Sequence, residues 1–190
     1  APVTYSFRID SPPANPNPGG FSTQSFDAAG LPYFLRNFGG TAAQVQSGGA
    51  TGNFLRLAHP GIQSTLNSVA FDSTAAGYFD SVVVDFDFRM SGGGDGMGFA
   101  LLDAETYGRT GIGPAVWEEP TLANSFGLGF DNFNNGAPSD PNANHVSVHF
   151  NGGKLADFTP SFSLSNNVFN HAKVTLQSTS GGALLIVAGI

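Results

Sequence analysis

The stretch Ser81-Val82-Val83-Val84-Asp85-Phe86-Asp87-Phe88-Arg89-Met90 decides the fold class. Val82, Val84, Phe86, Phe88 and Met90 fall on one side of an extended chain, and Asp85, Asp87 and Arg89 on the other. A period of two over a full strand length describes a strand with one face against a core and one in water. Working outward, the pattern recurs. Phe126, Leu128 and Phe130 alternate with Gly127, Gly129 and Asp131, and Val146, Val148 and Phe150 alternate with Ser147 and His149. Val174 and Leu176 continue it, residues 183–187 form an unbroken apolar run, and residues 3–9, 54–58 and 68–72 are shorter strand candidates. Turn-rich clusters at 11–20, 47–52, 91–96, 134–144 and 178–182 separate them. No stretch of ten residues keeps a 3.6-residue period; residues 121–126, with 115–117 before them, form a short helical turn at most.

Many short strands joined by turns predict an all-β fold, an antiparallel two-sheet β-sandwich of the jelly-roll kind. The length of 190 residues suits one such domain, so residues 1–190 read as a single unit. Charged residues make up only 11%, too few for a long exposed helical protein. The formal net charge is −7 and the seven Lys and Arg form no basic run, which argues against nucleic acid and anionic membrane surfaces as partners. The absence of cysteine excludes disulfides, thiolate metal sites and cysteine nucleophiles. No apolar run is long enough for membrane insertion. Ala1-Pro2-Val3-Thr4 reads as a mature end left by signal-peptide cleavage or as an arbitrary boundary; the first implies a secreted or cell-surface protein. The sequence stops inside an apolar run at Ile190, which would leave a sticky sheet edge. Either a further segment or a second chain is expected to complete the sandwich.

The chemistry concentrates between the strands that end at Asp131 and begin at His145. Asp131, Asn135 and Asp140 present three hard oxygen donors within this loop, and the Phe133 carbonyl offers a fourth. Calcium takes about six to eight oxygens at about 2.4 Å, with water completing the shell. An EF-hand does not fit: its third position would be Phe133, and its twelfth, where a bidentate Glu belongs, would be Asn142. The alternative is a turn-rich loop in which Asn, Asp, Gly and Pro serve backbone geometry alone.

The pattern Asp131-x-Phe133-x-Asn135, Asp140-Pro141 and His145-Val146-x-Val148 resembles the metal-binding loop of legume lectins and their animal L-type relatives. Upstream, Asp95-Gly96-Met97-Gly98-Phe99-Ala100-Leu101 resembles that family's Asp-Gly-x-Ala-Phe-Phe strand. The resemblance covers about half of the chain and is specific at these two motifs. It implies a concanavalin A-like fold and a calcium-dependent glycan-binding function. It also implies that Asp131, the Phe133 carbonyl, Asn135 and Asp140 hold calcium. By the same resemblance Asp95 accepts hydrogen bonds from sugar hydroxyls through a site whose Gly94–Asp95 peptide is cis. Asn135 donates its amide to the sugar, Phe133 packs on the sugar's apolar face, and Gly111 supplies a backbone N–H.

Two departures matter. Legume lectins bind a second, transition metal through a Glu two residues before the first Asp, where this chain has Gly129; that metal is therefore not expected, and His145 reads as a structural histidine. The family's later strands, with a further sugar-contacting loop, have no counterpart after Ile190. His59, His149 and His171 lack metal-spaced carboxylate neighbours and read as surface or strand positions. For catalysis, a retaining glycosidase needs two carboxyl groups about 5 Å apart. Asp85 and Asp87 alternate suitably but read as a solvated strand face, while the adjacent Glu118 and Glu119 would point apart in a strand. With no Gly-x-Ser-x-Gly elbow and no phosphate-binding loop, the chain reads as a binding module and not an enzyme. A structural or adhesive module keeping calcium for rigidity is the second reading, and a polysaccharide-active enzyme using Asp85 and Asp87 the third.

Overall fold

The computed structural model describes residues 3–7, 19–59, 61–62, 64–92, 94–179 and 182–188. In chain order its elements are β1 (Val3–Phe7), β2 (Tyr33–Gly39), β3 (Gln44–Ser47), β4 (Asn53–Arg56), β5 (Leu66–Phe71), β6 (Ser81–Phe88), β7 (Gly96–Leu102), α1 (Ala104–Tyr107), β8 (Ser125–Asp131), β9 (His145–Phe150), β10 (Gly153–Phe158), β11 (Asn170–Thr179) and β12 (Gly182–Ala188). Every strand pairing is antiparallel. The chain is thus all-β, consistent with the expected β-sandwich. Among the described residues no helix is long and apolar enough to cross a membrane. Residues 11–18 of the turn cluster at 11–20 lie outside the described residues.

The chain forms two compact units. One comprises Ala1–Thr23, Thr74–Phe88 and Phe169–Ile190; the other comprises Gln24–Ser73 and Arg89–Val168. The first holds the four-stranded sheet β1-β12-β11-β6. Here β6 behaves as its alternation demands. Ser81, Val83, Asp85 and Asp87 are exposed, Val82, Val84 and Phe86 are half-buried, and Phe88 is buried. Across the sheet Val84 pairs with Val174 and Phe86 with Ala172, both buried. On the wet face His171 lies opposite Asp87. Its Nδ1 is 2.9 Å from Asp87 Oδ1 and its Nε2 is 3.0 Å from Asp85 Oδ1. His171 therefore does have carboxylate neighbours. They come from a strand 84 residues away in sequence, which local spacing cannot show. The apolar run at the end of the chain is also corrected: β12 is no open edge, because β1 pairs with it from Val3↔Val187 to Phe7↔Ala183.

The second unit holds the sheet β10-β9-β8-β7 and the two-stranded ribbons β2–β5 and β3–β4. On one face of the four-stranded sheet Leu128 opposes Val148 and Phe130 opposes Val146, all four buried. The other face carries Gly127, Gly129 and Asp131 beside His149, Ser147 and His145. Simple alternation would leave that face wet, yet all seven residues of β8 are buried. Residues 117–120 cover it as a strap. A Cβ on Gly98 would collide with the Trp117 carbonyl oxygen, one on Gly129 with the Glu118 carbonyl oxygen and Ser147 Oγ, and one on Gly127 would come within 2.7 Å of Pro120 Cβ. These strand glycines let another backbone approach closely. The sole helical turn among the described residues is α1, not residues 121–126; Asp103 caps it by accepting from the Thr106 N–H at 2.8 Å.

Replacing Gly129 with Ala forces the strap off the sheet. Overpacking of this kind costs about 1–3 kcal/mol. Gly92→Ala, where an added Cβ meets open space, should change stability by less than about 0.5 kcal/mol. Urea unfolding of both variants checks this; equal midpoints would remove the steric role assigned to Gly129.

Candidate metal centre

Antiparallel pairing sets Asp131, the last residue of β8, opposite His145, the first of β9. The loop between them returns Asp140, and the strap delivers Glu119. One ligand atom from each of the four lies within 4.8 Å of the others. His145 Nε2 is 3.5 Å from Glu119 Oε1 and 3.9 Å from both Asp131 Oδ2 and Asp140 Oδ1. Asp131, Asp140 and His145 are buried and Glu119 is half-buried. This cluster of Glu, Asp and His residues can hold a metal ion.

The surroundings aim these atoms. His145 Nδ1 lies 2.8 Å from the Asn142 carbonyl oxygen. A carbonyl only accepts, so Nδ1 carries a proton and leaves Nε2 to face the carboxylates. Asp131 Oδ1 accepts from the Phe133 N–H at 2.7 Å, and Asp140 Oδ2 accepts from the Asn135 N–H at 2.5 Å. Each aspartate thus uses one oxygen on the loop backbone and turns the other inward. Lys154 Nζ lies 3.4 Å from Glu119 Oε1 and 3.3 Å from Asp157 Oδ2, and donates to the Ser139 carbonyl, tying the strap to the loop. Within this arrangement His145 Nε2 and Asp131 Oδ2 are buried without a hydrogen-bond partner. Two acceptors facing each other away from water are costly unless a proton or a cation lies between them. Burial pushes the Asp131 carboxyl up to about 6, with the Phe133 N–H and His145 opposing and Asp140 and Glu118 reinforcing. Burial likewise raises Glu118, against its own backbone hydrogen bond and with help from Asp95, Glu119 and Asp140.

The loop ends are held by asparagines. With its amide oriented to satisfy both ends, Asn132 donates to the Asp95 carbonyl at 3.0 Å and accepts from Ser165 Oγ at 2.7 Å. Asn144 donates to the Phe162 carbonyl at 2.9 Å and accepts from the Leu164 N–H at 2.7 Å. Asp95 precedes β7, whose Gly96 pairs with Asp131, so both sequence motifs meet at one end of the sheet. Its carbonyl also accepts from the Asn132 N–H at 3.0 Å. Asp95 and Asn135 are exposed, and the Phe133 ring is 51% exposed.

Asp131 and Asp140 are brought together as the sequence implies, with Phe133 and Asn135 beside them through their N–H groups. Three expectations change. His145 is no bystander but sits at the centre of the cluster. The Gly111 N–H donates to Asp72 Oδ1 at 3.2 Å, so it is already engaged within its own unit. The cis peptide among the described residues is Ala137–Pro138, not Gly94–Asp95; outside proline the cis form costs about 2.5–4 kcal/mol. Beside Glu118 in sequence, Glu119 reads as one of two strand residues pointing apart, whereas residues 117–120 belong to no strand. The signal that could have found it is the set of strand glycines Gly98, Gly127 and Gly129, which calls for a crossing backbone.

No family model, curated protein or solved structure matches this chain.

The raised Asp131 pKa sets a pH dependence for metal-free protein. Below about 4 the folded and unfolded carboxyls are both protonated and the group contributes nothing adverse. As pH rises to about 6 the unfolded carboxylate ionises first, and stability is lost. His149 acts oppositely: burial lowers its pKa, so stability falls as pH drops below its ordinary value near 6.5. Comparing wild type with Asp131→Asn in EDTA isolates the aspartate. The variant should gain on wild type between pH 4 and 6 and hold that advantage above, and saturating cation should reverse the order at pH 7.5. Parallel stability curves across this range would refute the assignment.

Proposed function

We propose that this chain is a secreted, cation-dependent carbohydrate-binding domain of the L-type lectin kind. The observation that carries the reading is the pair of unpartnered inward atoms, His145 Nε2 and Asp131 Oδ2, within a four-residue ligand cluster next to the exposed Asp95 and Phe133. A cation bound there neutralises the crowded carboxylates and fixes the loop that presents Phe133 and Asn135. The loop is then ordered before a ligand arrives, which lowers the cost of binding. Asp95 accepts from sugar hydroxyls, the Asn135 amide donates to them, and Phe133 covers a C–H face.

Calcium suits the oxygens of Asp131, Asp140, Asn135 and the Phe133 carbonyl. The imidazole nitrogen in the four-residue cluster suits a borderline ion such as manganese or zinc. Glu119 stands in that cluster as the carboxylate that Gly129 cannot supply. Three of the four residues are buried, which favours an ion that organises structure over one that acts on a substrate. The same burial favours a second reading, a structural or adhesive module with a stabilising ion and no sugar ligand.

A glycan array with calcium and manganese, repeated in EDTA, separates the readings: cation-sensitive sugar binding is expected, and its absence leaves the structural module. In cation-containing buffer Asp131→Ala should lower the melting temperature by several degrees, as loss of a bound ion removes roughly 1–3 kcal/mol. Asp95→Ala should leave melting unchanged and abolish sugar binding. Calorimetric titration of His145→Ala distinguishes the ions: manganese affinity is lost, whereas calcium held by oxygens alone survives. An unchanged manganese isotherm would remove His145 from the ligand set.

A further inference from the structure

The strap that delivers Glu119 inward also displays Trp117 outward. Trp117 is the chain's single tryptophan and is 56% exposed. Among the described residues its ring meets no other ring and its indole N–H has no partner. Its backbone is nevertheless immobilised. The Trp117 carbonyl rests on Gly98 where even a methyl group would not fit. The preceding Val116 N–H donates to Ser68 Oγ at 3.2 Å, and the following Glu118 lies over Gly96 and Gly129. Two residues further on, Glu119 joins the metal cluster and is braced by Lys154. An indole forfeits a large apolar area by staying in water. Carried on a backbone packed against the sheet, it offers a flat apolar surface anchored at its base before a ligand arrives.

Its location gives that surface a use. Gly98, beneath Trp117, lies three residues along from Asp95, about 10 Å at the rise of a strand. That exceeds one sugar ring and matches a short oligosaccharide. We propose that Trp117 is a stacking platform for a further ring of an oligosaccharide whose first ring sits at Asp95 and Phe133, and that cation binding through Glu119 holds the platform in place. The proposal rests on the carbohydrate-binding reading above and narrows it: the ligand is an oligosaccharide or polysaccharide chain. Trp117 covers an apolar sugar face while Asp95 takes the hydroxyl edge of the neighbouring ring.

The experiment uses the cation-loaded chain and linear oligomers of glucose, mannose and galactose, from one ring to four, with affinity and Trp117 fluorescence as readouts. Affinity should rise about tenfold on going from one ring to two or three, the worth of one stacked aromatic contact. Trp117→Ala should lose this increment and keep the single-ring affinity, and Trp117→Phe should restore most of it. Emission should shift with the longer oligomers only, and Glu119→Gln or EDTA should abolish that shift. If wild type binds one ring and several with equal affinity, or Trp117→Ala keeps the increment, the platform is wrong while the sugar-binding reading stands. If wild type with calcium and manganese binds none of the oligomers, both fall together.

Discussion

An imidazole nitrogen and a carboxylate oxygen face each other where water does not reach: His145 Nε2 and Asp131 Oδ2. Left as they are, with Asp140 and Glu119 beside them, they repel. Burial answers in part by raising the Asp131 pKa to about 6, so that a proton eases the crowding in mildly acidic solution. A divalent cation bound there would do so more fully, because it would neutralise several oxygens at once and take the nitrogen as a ligand. The loop and strap are both arranged around this constraint. The Phe133 and Asn135 N–H groups each take one aspartate oxygen, and the Asn142 carbonyl takes the His145 Nδ1 proton, leaving the remaining atoms to converge.

That convergence depends on a steric condition met elsewhere in the chain. The strap reaches the cluster only because β7 and β8 lack side chains beneath it. Gly98, Gly127 and Gly129 act as a groove for that backbone, and the backbone carries Glu119 to the cluster. The same crossing turns an ordinary wet sheet face into a second interior, lined by His145, Ser147 and His149. His149 Nε2 meets Ser147 Oγ at 2.8 Å, while its Nδ1 is buried without a partner, a cost the centre's rigidity must offset. Rigidity on the inside and aromatic surface on the outside then arise from one segment.

The two units differ in how they treat charge. In the first, His171 bridges Asp85 and Asp87 in water, about half exposed on both sides of the pairing, so the contact contributes little to stability. In the second, related residue types are withdrawn from water and become a demanding site. Burial, and not the identity of the residues, separates a surface ion pair from a cluster able to hold a metal ion.

Local alternation was enough to reveal most of the strands and which of their faces is buried. Alternation in residues 81–90, 126–130 and 146–150 is local physics, because successive side chains of an extended chain must point oppositely. The sequence also marked Asp131 and Asp140 as neighbours, because both belong to one short loop between two strands. The strands β2, β3 and β10 escaped, lacking a clear alternation of burial: β2 is exposed at five of its seven positions, and β10 is irregular between Lys154 and Ala156. Only the tertiary structure decided that β1 covers β12, that His145 is central and that Glu119 belongs beside it. Those facts depend on which distant backbones touch, and chain neighbours carry no record of a contact made across a sheet.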